Sequence, residues 1–284
     1  MTNDLSLGYI GLGNMGAPMA KRLVDWPGGL TVYDIRTEAM TPLAEAGANR
    51  ADSVADVAAA DIISVTVLDD AQVREVVGEL AANAKPGTII AIHSTISDTT
   101  AVELADALRA QDVHIVDAPV SGGGGAAEKG ELATMVGAER PVYERVKPAF
   151  KKWASMVIHA GEPGAGTRMK LARNMLTFTS YAAACEAMKL AEAAGLDLQA
   201  LGRVVRHTDA LTGGAGAIMV RDDMKTLEPE HFLYQPFLHT RGLGEKDLSL
   251  ALALGKAVSV DLPLAEVAYE RLAAGLGVPH TASD

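Results

Sequence analysis

Leu5-Ser6-Leu7-Gly8-Tyr9-Ile10-Gly11-Leu12-Gly13-Asn14-Met15-Gly16 is the stretch on which the fold turns. The apolar run Leu5–Ile10 reads as a buried strand, and the glycines follow where a strand would turn sharply into a helix. The three glycines serve, in turn, a tight turn, close backbone approach to a pyrophosphate, and close packing of helix on strand. The N-terminus of that helix offers free N–H groups and a positive dipole end to phosphates. A bare Gly-x-Gly-x-x-Gly is a weak signal, because glycine turns are common. Here Asp34 ends the next expected strand, 18 positions after Gly16, near the spacing of a carboxylate that binds the adenosine ribose. The expected dinucleotide-binding residues are therefore Gly11, Leu12, Gly13, Asn14, Met15, Gly16 and Asp34. A carboxylate at Asp34 accepts bonds from a ribose 2′-hydroxyl and repels a 2′-phosphate, which favours NAD. Arg36, two residues on, is of the type that binds such a phosphate, so NADP stands as the less favoured cofactor.

Outward from this loop, short apolar runs alternate with helical stretches, the pattern of a parallel sheet covered by helices. Strands are expected at Leu5–Ile10, Leu30–Tyr33, Ile62–Val67, Thr88–Ile92 and His114–Val116. Helices are expected over Asn14–Val24, Glu38–Ala46, Ala71–Ala82 and Thr99–Ala110. The pattern changes after Asp117, where a glycine run from Gly122 to Gly125 leads into Leu132–Val136, a helix over Pro141–Phe150, and Met156–His159. It changes again near Gly161-Glu162-Pro163-Gly164-Ala165-Gly166. From there to Gly195 the chain reads as one proline-free helix of roughly thirty residues, ~45 Å long. Beyond it no convincing strand remains, and about four helices are expected, including parts of Gly244–Val258 and Leu264–Leu276. The expected architecture is an α/β Rossmann-type domain over residues 1–162. An all-helical domain over residues 163–284 follows, with the long helix between them.

A length of 284 residues suits two domains, each able to bury its own core. The formal charge of −11 argues against nucleic-acid or anionic-membrane partners, whose phosphates need a basic surface. Cys185 is the single cysteine, so no internal disulfide can form, and a cytoplasmic location is the simplest expectation. The segment Met1-Thr2-Asn3-Asp4 lacks a basic leader, and no apolar run reaches the ~20 residues of a membrane helix. None of the seven histidines has metal-ligand spacing to another ligand type, so no metal is expected.

Three further segments add to the glycine loop: Asp117-Ala118-Pro119-Val120-Ser121-Gly122-Gly123, Gly164-Ala165-Gly166-Thr167-Arg168-Met169-Lys170, and Lys246-Asp247-Leu248. In this order and over essentially the whole length, the chain resembles the β-hydroxyacid dehydrogenase family. That group includes 3-hydroxyisobutyrate dehydrogenase and tartronate semialdehyde reductase. The resemblance implies a hydride transfer between NAD(H) and a small 3-hydroxy acid or its semialdehyde, in a cleft between a nucleotide domain and a helical domain. It places the substrate loop at Ser121, Gly122 and Gly123, the catalytic lysine at Lys170, the helix asparagine at Asn174 and a second cleft lysine at Lys246. It also places Leu68 and Thr95 beside the cofactor. The chain departs from the family pattern at Arg173, where a further Asn is common, and at Ala126, where glycine is usual. Phe237–Glu245, with His239 and Arg241, also matches poorly, which concerns the substrate side chain and not the reaction.

Hydride transfer requires a group to take the hydroxyl proton. Lys170 and Asn174, four apart on a helix, share one face, so the asparagine can position the hydroxyl that the lysine deprotonates. Lys246 nearby would lower the pKa of Lys170 towards that of a useful base. Gly122 and Gly123 free the backbone N–H groups to converge on a carboxylate, and the Ser121 hydroxyl adds a donor. His239, seven residues before Lys246, would share its face on a helix and is a candidate substrate-pocket residue. Two other readings fit the same architecture: an imine reductase, and a dinucleotide-binding module without catalysis. The lysine of the long helix argues against the first, and the Lys170, Asn174 and Lys246 set against the second. The long helix, with Ala182-Ala183-Ala184, suits close contacts in a homodimer or a dimer of dimers.

Overall fold

A computed structural model describes residues 4–280. Among them the chain runs β1 (Leu7–Ile10), α1 (Gly16–Lys21), β2 (Leu30–Tyr33), α2 (Thr37–Glu45), β3 (Asn49–Arg50), α3 (Val54–Val57), β4 (Ile62–Val65) and α4 (Asp70–Asn83). It continues through β5 (Ile89–Ile92), α5 (Asp98–Leu108), β6 (His114–Asp117), β7 (Val120–Ser121), α6 (Gly123–Lys129), β8 (Leu132–Gly137), α7 (Arg140–Phe150) and β9 (Ala154–Gly161). Four helices complete it: α8 (Ala165–Ala193), α9 (Leu198–Thr212), α10 (Tyr234–Ala257) and α11 (Pro263–Leu276). No helix among the described residues is long and apolar enough to cross a membrane.

The strands form one sheet in the order β3-β2-β1-β4-β5-β6-β8-β7, with β9 on β8. From β3 to β6 all pairings are parallel, while β8 runs antiparallel to β6 and β7. Side chains alternate across a strand, so a sheet covered on both faces feeds two cores. Leu7, Tyr9, Ile62, Ile89, Ala91 and Val116 join one core, while Ile10, Ile63, Val65, Ile90, Ile92 and Ile115 join the other. The chain passes from β1 outward to β2 and β3, then returns to place β4 on the other flank of β1. That reversal opens a crevice at the carboxyl ends of β1 and β4, where nucleotides bind in sheets of this kind.

Several elements differ in extent from the sequence expectation. Strand β1 begins at Leu7, and α1 covers only six residues, Gly16–Lys21. It stops because the Arg22 and Leu23 amides bond three residues back, to Met19 and Ala20, in the tighter 3₁₀ pattern. The edge strand β3 and the single turn α3, closed by a reciprocal Ser53–Asp56 capping box, are too short to leave a periodic signal. The glycine run is no loose linker: Gly123, Gly124 and Gly125 form the first turn of α6, which ends at Gly130 with φ 77°. After α8 there are three α-helices and a 3₁₀ turn, Gly214–Ile218, where about four helices were expected. The glycine-rich Phe237–Glu245 stretch is continuous helix inside α10.

The chain forms two compact units, Met1–Met175 and Leu176–Asp284, and α8 contributes to both. In the second unit, α10 and the end of α11 enclose a small core of Leu227, Phe237, Leu276 and Val278. The Glu186 carboxylate of α8 accepts the Leu264 and Ala265 amides at 3.0 and 3.3 Å and so caps α11. Helix α9 has no buried residue.

Candidate active site

The loop after β1 shows why two of its glycines are needed. Gly11 has φ 88°, and a side chain there would overlap the Thr66 carbonyl. A side chain on Gly16 would overlap the Gly11 carbonyl, so helix and turn could not close on each other. Gly13 is different: no protein atom lies within 4 Å of where its Cβ would be. Internal packing does not require glycine at this position, and a backbone left bare for a pyrophosphate does. The carboxylate of Asp34, at the end of β2, accepts the Leu12 amide at 2.7 Å, the Arg36 amide at 2.8 Å and the Arg36 Nε at 3.3 Å. Burial pushes this carboxyl up, but the two amides and the guanidinium outweigh it and hold the group below its ordinary value. Asp34 is thus an anion anchored against the glycine loop. These features fit a dinucleotide across the carboxyl end of the sheet.

Leu68 and Thr95 are exposed just beyond β4 and β5. The hydroxyl of Ser94 joins the two loops, accepting the Val67 amide at 2.9 Å and donating to the Val67 carbonyl at 2.6 Å. Sequence reasoning does not single out Ser94, because a serine beside Thr95 has no distinguishing pattern.

The loop after β6 is held from both sides. On one side His93 is buried, with Nδ1 2.8 Å from the Ala118 carbonyl and Nε2 3.0 Å from Ser64 Oγ. A carbonyl only accepts, so Nδ1 carries the proton and Nε2 accepts from the serine. Burial lowers the His93 pKa to about 4, which keeps the ring neutral in this role. On the other side Asp117 is fully buried; its two oxygens accept the Gly164 amide at 2.7 Å and the Thr167 amide at 2.6 Å. Burial pushes this carboxyl above its ordinary value, and the Thr167 and Gly164 amides offset part of the effect. Asp117 therefore caps the N-terminus of α8 from the end of β6. A side chain on Gly166 would overlap the Met135 carbonyl, which explains a glycine in the first turn of α8. Asp117 opens one of the sequence motifs, yet spacing alone gives it no role. Its signal is a carboxylate at a strand end, and its partners lie 47 and 50 residues away.

This junction delivers Lys170. One turn into α8, its side chain points back toward the helix N-terminus, and Nζ donates to the Val120 carbonyl at 2.7 Å. Lys170 is buried, and burial, aided by the nearby Arg173 charge, lowers its pKa. Within the first unit the cation acting on Lys170 is Arg173. Ser121 follows Val120 at the end of β7, and Gly122 and Gly123 take φ 135° and 76°. A Cβ on Gly124 would lie 3.3 Å from the Asn14 carbonyl oxygen, so the Ser121-Gly122-Gly123 loop stands beside the glycine loop of β1. Asn174 is half-buried on the next turn of α8, its Oδ1 accepting Arg173 Nη1 at 3.4 Å. The structure therefore joins Lys170 to the loop of Val120, Ser121, Gly122 and Gly123, and that loop to the β1 loop, with Asn174 one turn beyond Lys170 on α8. His239 and Lys246 belong to the second unit, both exposed on α10, and Lys246 Nζ lies 3.1 Å from Asp247 Oδ1.

Comparison with known proteins matches this architecture throughout. Residues 6–161 match the NAD binding domain of 6-phosphogluconate dehydrogenase, and residues 164–284 match the NAD-binding family of NADP-dependent 3-hydroxyisobutyrate dehydrogenase. An uncharacterized oxidoreductase of Mycobacterium tuberculosis is 70% identical over 277 residues, 96% of this chain and 94% of the relative. The 3-hydroxyisobutyrate dehydrogenase of Pseudomonas aeruginosa is 32% identical over 269 residues, 92% of this chain and 89% of the relative. A crystal structure of an oxidoreductase from Mycobacterium avium 104 is 86% identical with a TM-score of 0.94, covering 97% of this chain and 100% of that one.

Proposed function

The chain belongs to the β-hydroxyacid dehydrogenase family of NAD(P)-dependent oxidoreductases, and from that premise we propose that it oxidises a small 3-hydroxy acid to its semialdehyde with NAD, using Lys170 as general acid/base. The observation that carries this reading is the position of Lys170: buried, lowered in pKa, and 2.7 Å from the Val120 carbonyl, one residue from Ser121. Ser121 and the amides of Gly122 and Gly123 hold the substrate carboxylate. Asn174 orients the hydroxyl. NAD, when bound, supplies the hydride acceptor. The neutral amine of Lys170 takes the hydroxyl proton as the carbinol carbon loses its hydride and the C=O bond forms; Lys170 is left as the ammonium. In reduction the same ammonium returns the proton. Gly11–Gly16, Asp34, Leu68 and Thr95 hold the dinucleotide in the domain of residues 1–162, and His239 and Lys246 complete the substrate and cofactor contacts from the domain of residues 163–284.

The test is NADH formation, followed by absorbance, when purified protein meets NAD and a panel of 3-hydroxy acids. Alcohols lacking the carboxylate are expected to fail even with the same carbinol. NADP is expected to serve less efficiently than NAD, because the anchored carboxylate of Asp34 repels a 2′-phosphate. Asp34→Ser should narrow that gap. Equal turnover of simple alcohols would refute the role given to Ser121-Gly122-Gly123, and a strong preference for NADP would refute the role given to Asp34.

The protein works as a homodimer or a dimer of dimers, in the cytoplasm, with α8 in the interface. Along α8, Met175, Phe178 and Tyr181 are 69, 63 and 62% exposed, and α9 exposes Val204, Val205 and Leu211. Apolar side chains in such numbers, on helices that find little core in their own unit, call for cover by another surface. Light scattering at micromolar concentration is expected to return a multiple of the 29.6 kDa chain mass, and a monomer mass would refute it.

A further inference from the structure

His93 stands where three strand ends meet. It follows β5, and its ring reaches both neighbouring strands: Nδ1–H donates to the Ala118 carbonyl after β6 at 2.8 Å, and Nε2 accepts from Ser64 Oγ on β4 at 3.0 Å. Aromatic side chains box the ring, with centroids 5.2 Å away at Phe150, 5.4 Å at Trp153 and 6.3 Å at Tyr9. Such surroundings give an imidazole nothing in exchange for lost water, so the two hydrogen bonds are what hold a polar ring here. The Ser64 hydroxyl occupies Nε2 and so keeps the proton on Nδ1, the nitrogen that faces the carbonyl. Tyr9, the titratable group stacked on the ring, stays neutral because burial pushes its hydroxyl up.

Ala118 is two residues from Val120, whose carbonyl holds the Lys170 amine. Pro119 between them has a fixed φ, and a residue before proline is confined to extended backbone. The segment is therefore stiff, and a shift at Ala118 is carried to Val120. Packing supplies a second route. Trp153 meets the His93 ring edge-on and donates to Thr134 Oγ1 at 3.3 Å, and Thr134 pairs with Val120 across β7 and β8. Backbone bonds flank the same segment: the Ala118 amide donates to the Ile92 carbonyl, and the Pro119 carbonyl accepts the Met135 amide. To these His93 adds a side-chain strut that props the Ala118 carbonyl against β4, two strands away. On this geometry, and resting on the dehydrogenase reading above, we infer that His93 is a positioning residue for the reaction: the Ser64–His93–Ala118 strut sets the place of the Val120 carbonyl and, through it, of the Lys170 amine. Being buried, the imidazole acts through Lys170 and not on the substrate.

Three variants of the full-length protein test this. His93→Phe keeps an aromatic ring and removes both hydrogen bonds. His93→Gln has an amide that again donates to Ala118 and accepts from Ser64, and Ser64→Ala removes the group that fixes the tautomer. With NAD and a 3-hydroxy acid, His93→Phe is expected to lower kcat about tenfold with little change in the KM for NAD, and His93→Gln to recover part of the loss. The distinguishing readout is Lys170 itself. Loosened from the loop, its amine gains water, so its pKa rises towards the ordinary lysine value while the Arg173 charge stays in place. The pH at which oxidation levels off should therefore move up in His93→Phe, and by less in Ser64→Ala. A variant that had only lost stability would leave it where it was. The pH dependence of Lys170 acetylation by acetic anhydride, read by peptide mass spectrometry, follows the same amine without turnover. Should His93→Phe fail to fold, Ser64→Ala carries the comparison. Acetylation midpoints equal to that of the wild type overturn the inference and leave the dehydrogenase reading in place. An upward shift in a protein whose wild type reduces no NAD with any 3-hydroxy acid overturns the dehydrogenase reading and supports the placement of Lys170 by His93.

Discussion

Lys170→Ala is expected to lower kcat by about 10²-fold or more, the loss that follows removal of a general acid/base. The side chain it removes is the amine held 2.7 Å from the Val120 carbonyl, the group to which the proposed mechanism gives the proton. NADH affinity, measured by fluorescence, should change little, because the proposed dinucleotide contacts are made chiefly by Gly11–Gly16 and Asp34. Lys170→Arg should not rescue the rate, since a guanidinium stays protonated and cannot accept a proton. Asn174→Ala should cost less than Lys170→Ala, because in the proposed mechanism Asn174 positions the hydroxyl without exchanging a proton. The lowered pKa of Lys170 has a consequence for pH dependence. In the proposed mechanism the base is the neutral amine, so the rate of oxidation should rise with pH as Lys170 loses its proton and level off below the ordinary lysine range. A Lys170→Ala enzyme with near-normal kcat would sink the mechanism.

Asp117→Ala is expected to destabilise the protein by about 2–4 kcal/mol. The substitution leaves two amides, Gly164 and Thr167, without acceptors where water cannot replace them, and each such loss costs about 1–3 kcal/mol. It also frees the N-terminus of α8 from β6, so Lys170 loses its register against Val120 and kcat should fall with stability. Asp117→Asn keeps one acceptor oxygen and relieves the buried charge, so about half of the destabilisation is expected. Urea denaturation measures both variants. A midpoint for Asp117→Ala equal to that of the wild type would show that the capping contacts contribute nothing.

The sequence by itself determined the parts of this protein that rest on local spacing. The turn at Gly11–Gly16, the short apolar runs of β4 and β5, and the uninterrupted helix from Ala165 to Ala193 each follow from residues within a few positions of one another. The same holds for Asp34, whose distance from Gly16 is the length of one helix and the strand that follows it. Elements of one turn or two residues, such as α3 and β3, left no readable period, and their existence depends on a capping box and on the edge of β2. The helical state of Gly123–Gly125 was also hidden, because glycine favours no backbone conformation and packing had to choose one.

Only the tertiary structure decided how the candidate site is assembled. Asp117 and the α8 amides, His93 and the Ala118 carbonyl, and Lys170 and the Val120 carbonyl are pairs separated by 25 to 50 residues. A polar group's partner at such range is set by the sheet order and by the angle at which α8 leaves β9, neither of which is written in residue spacing. The same reason gives Lys170 its lowered pKa. Burial beneath the β7 loop is the larger cause and Arg173 the lesser, and burial exists only once strand, loop and helix have met.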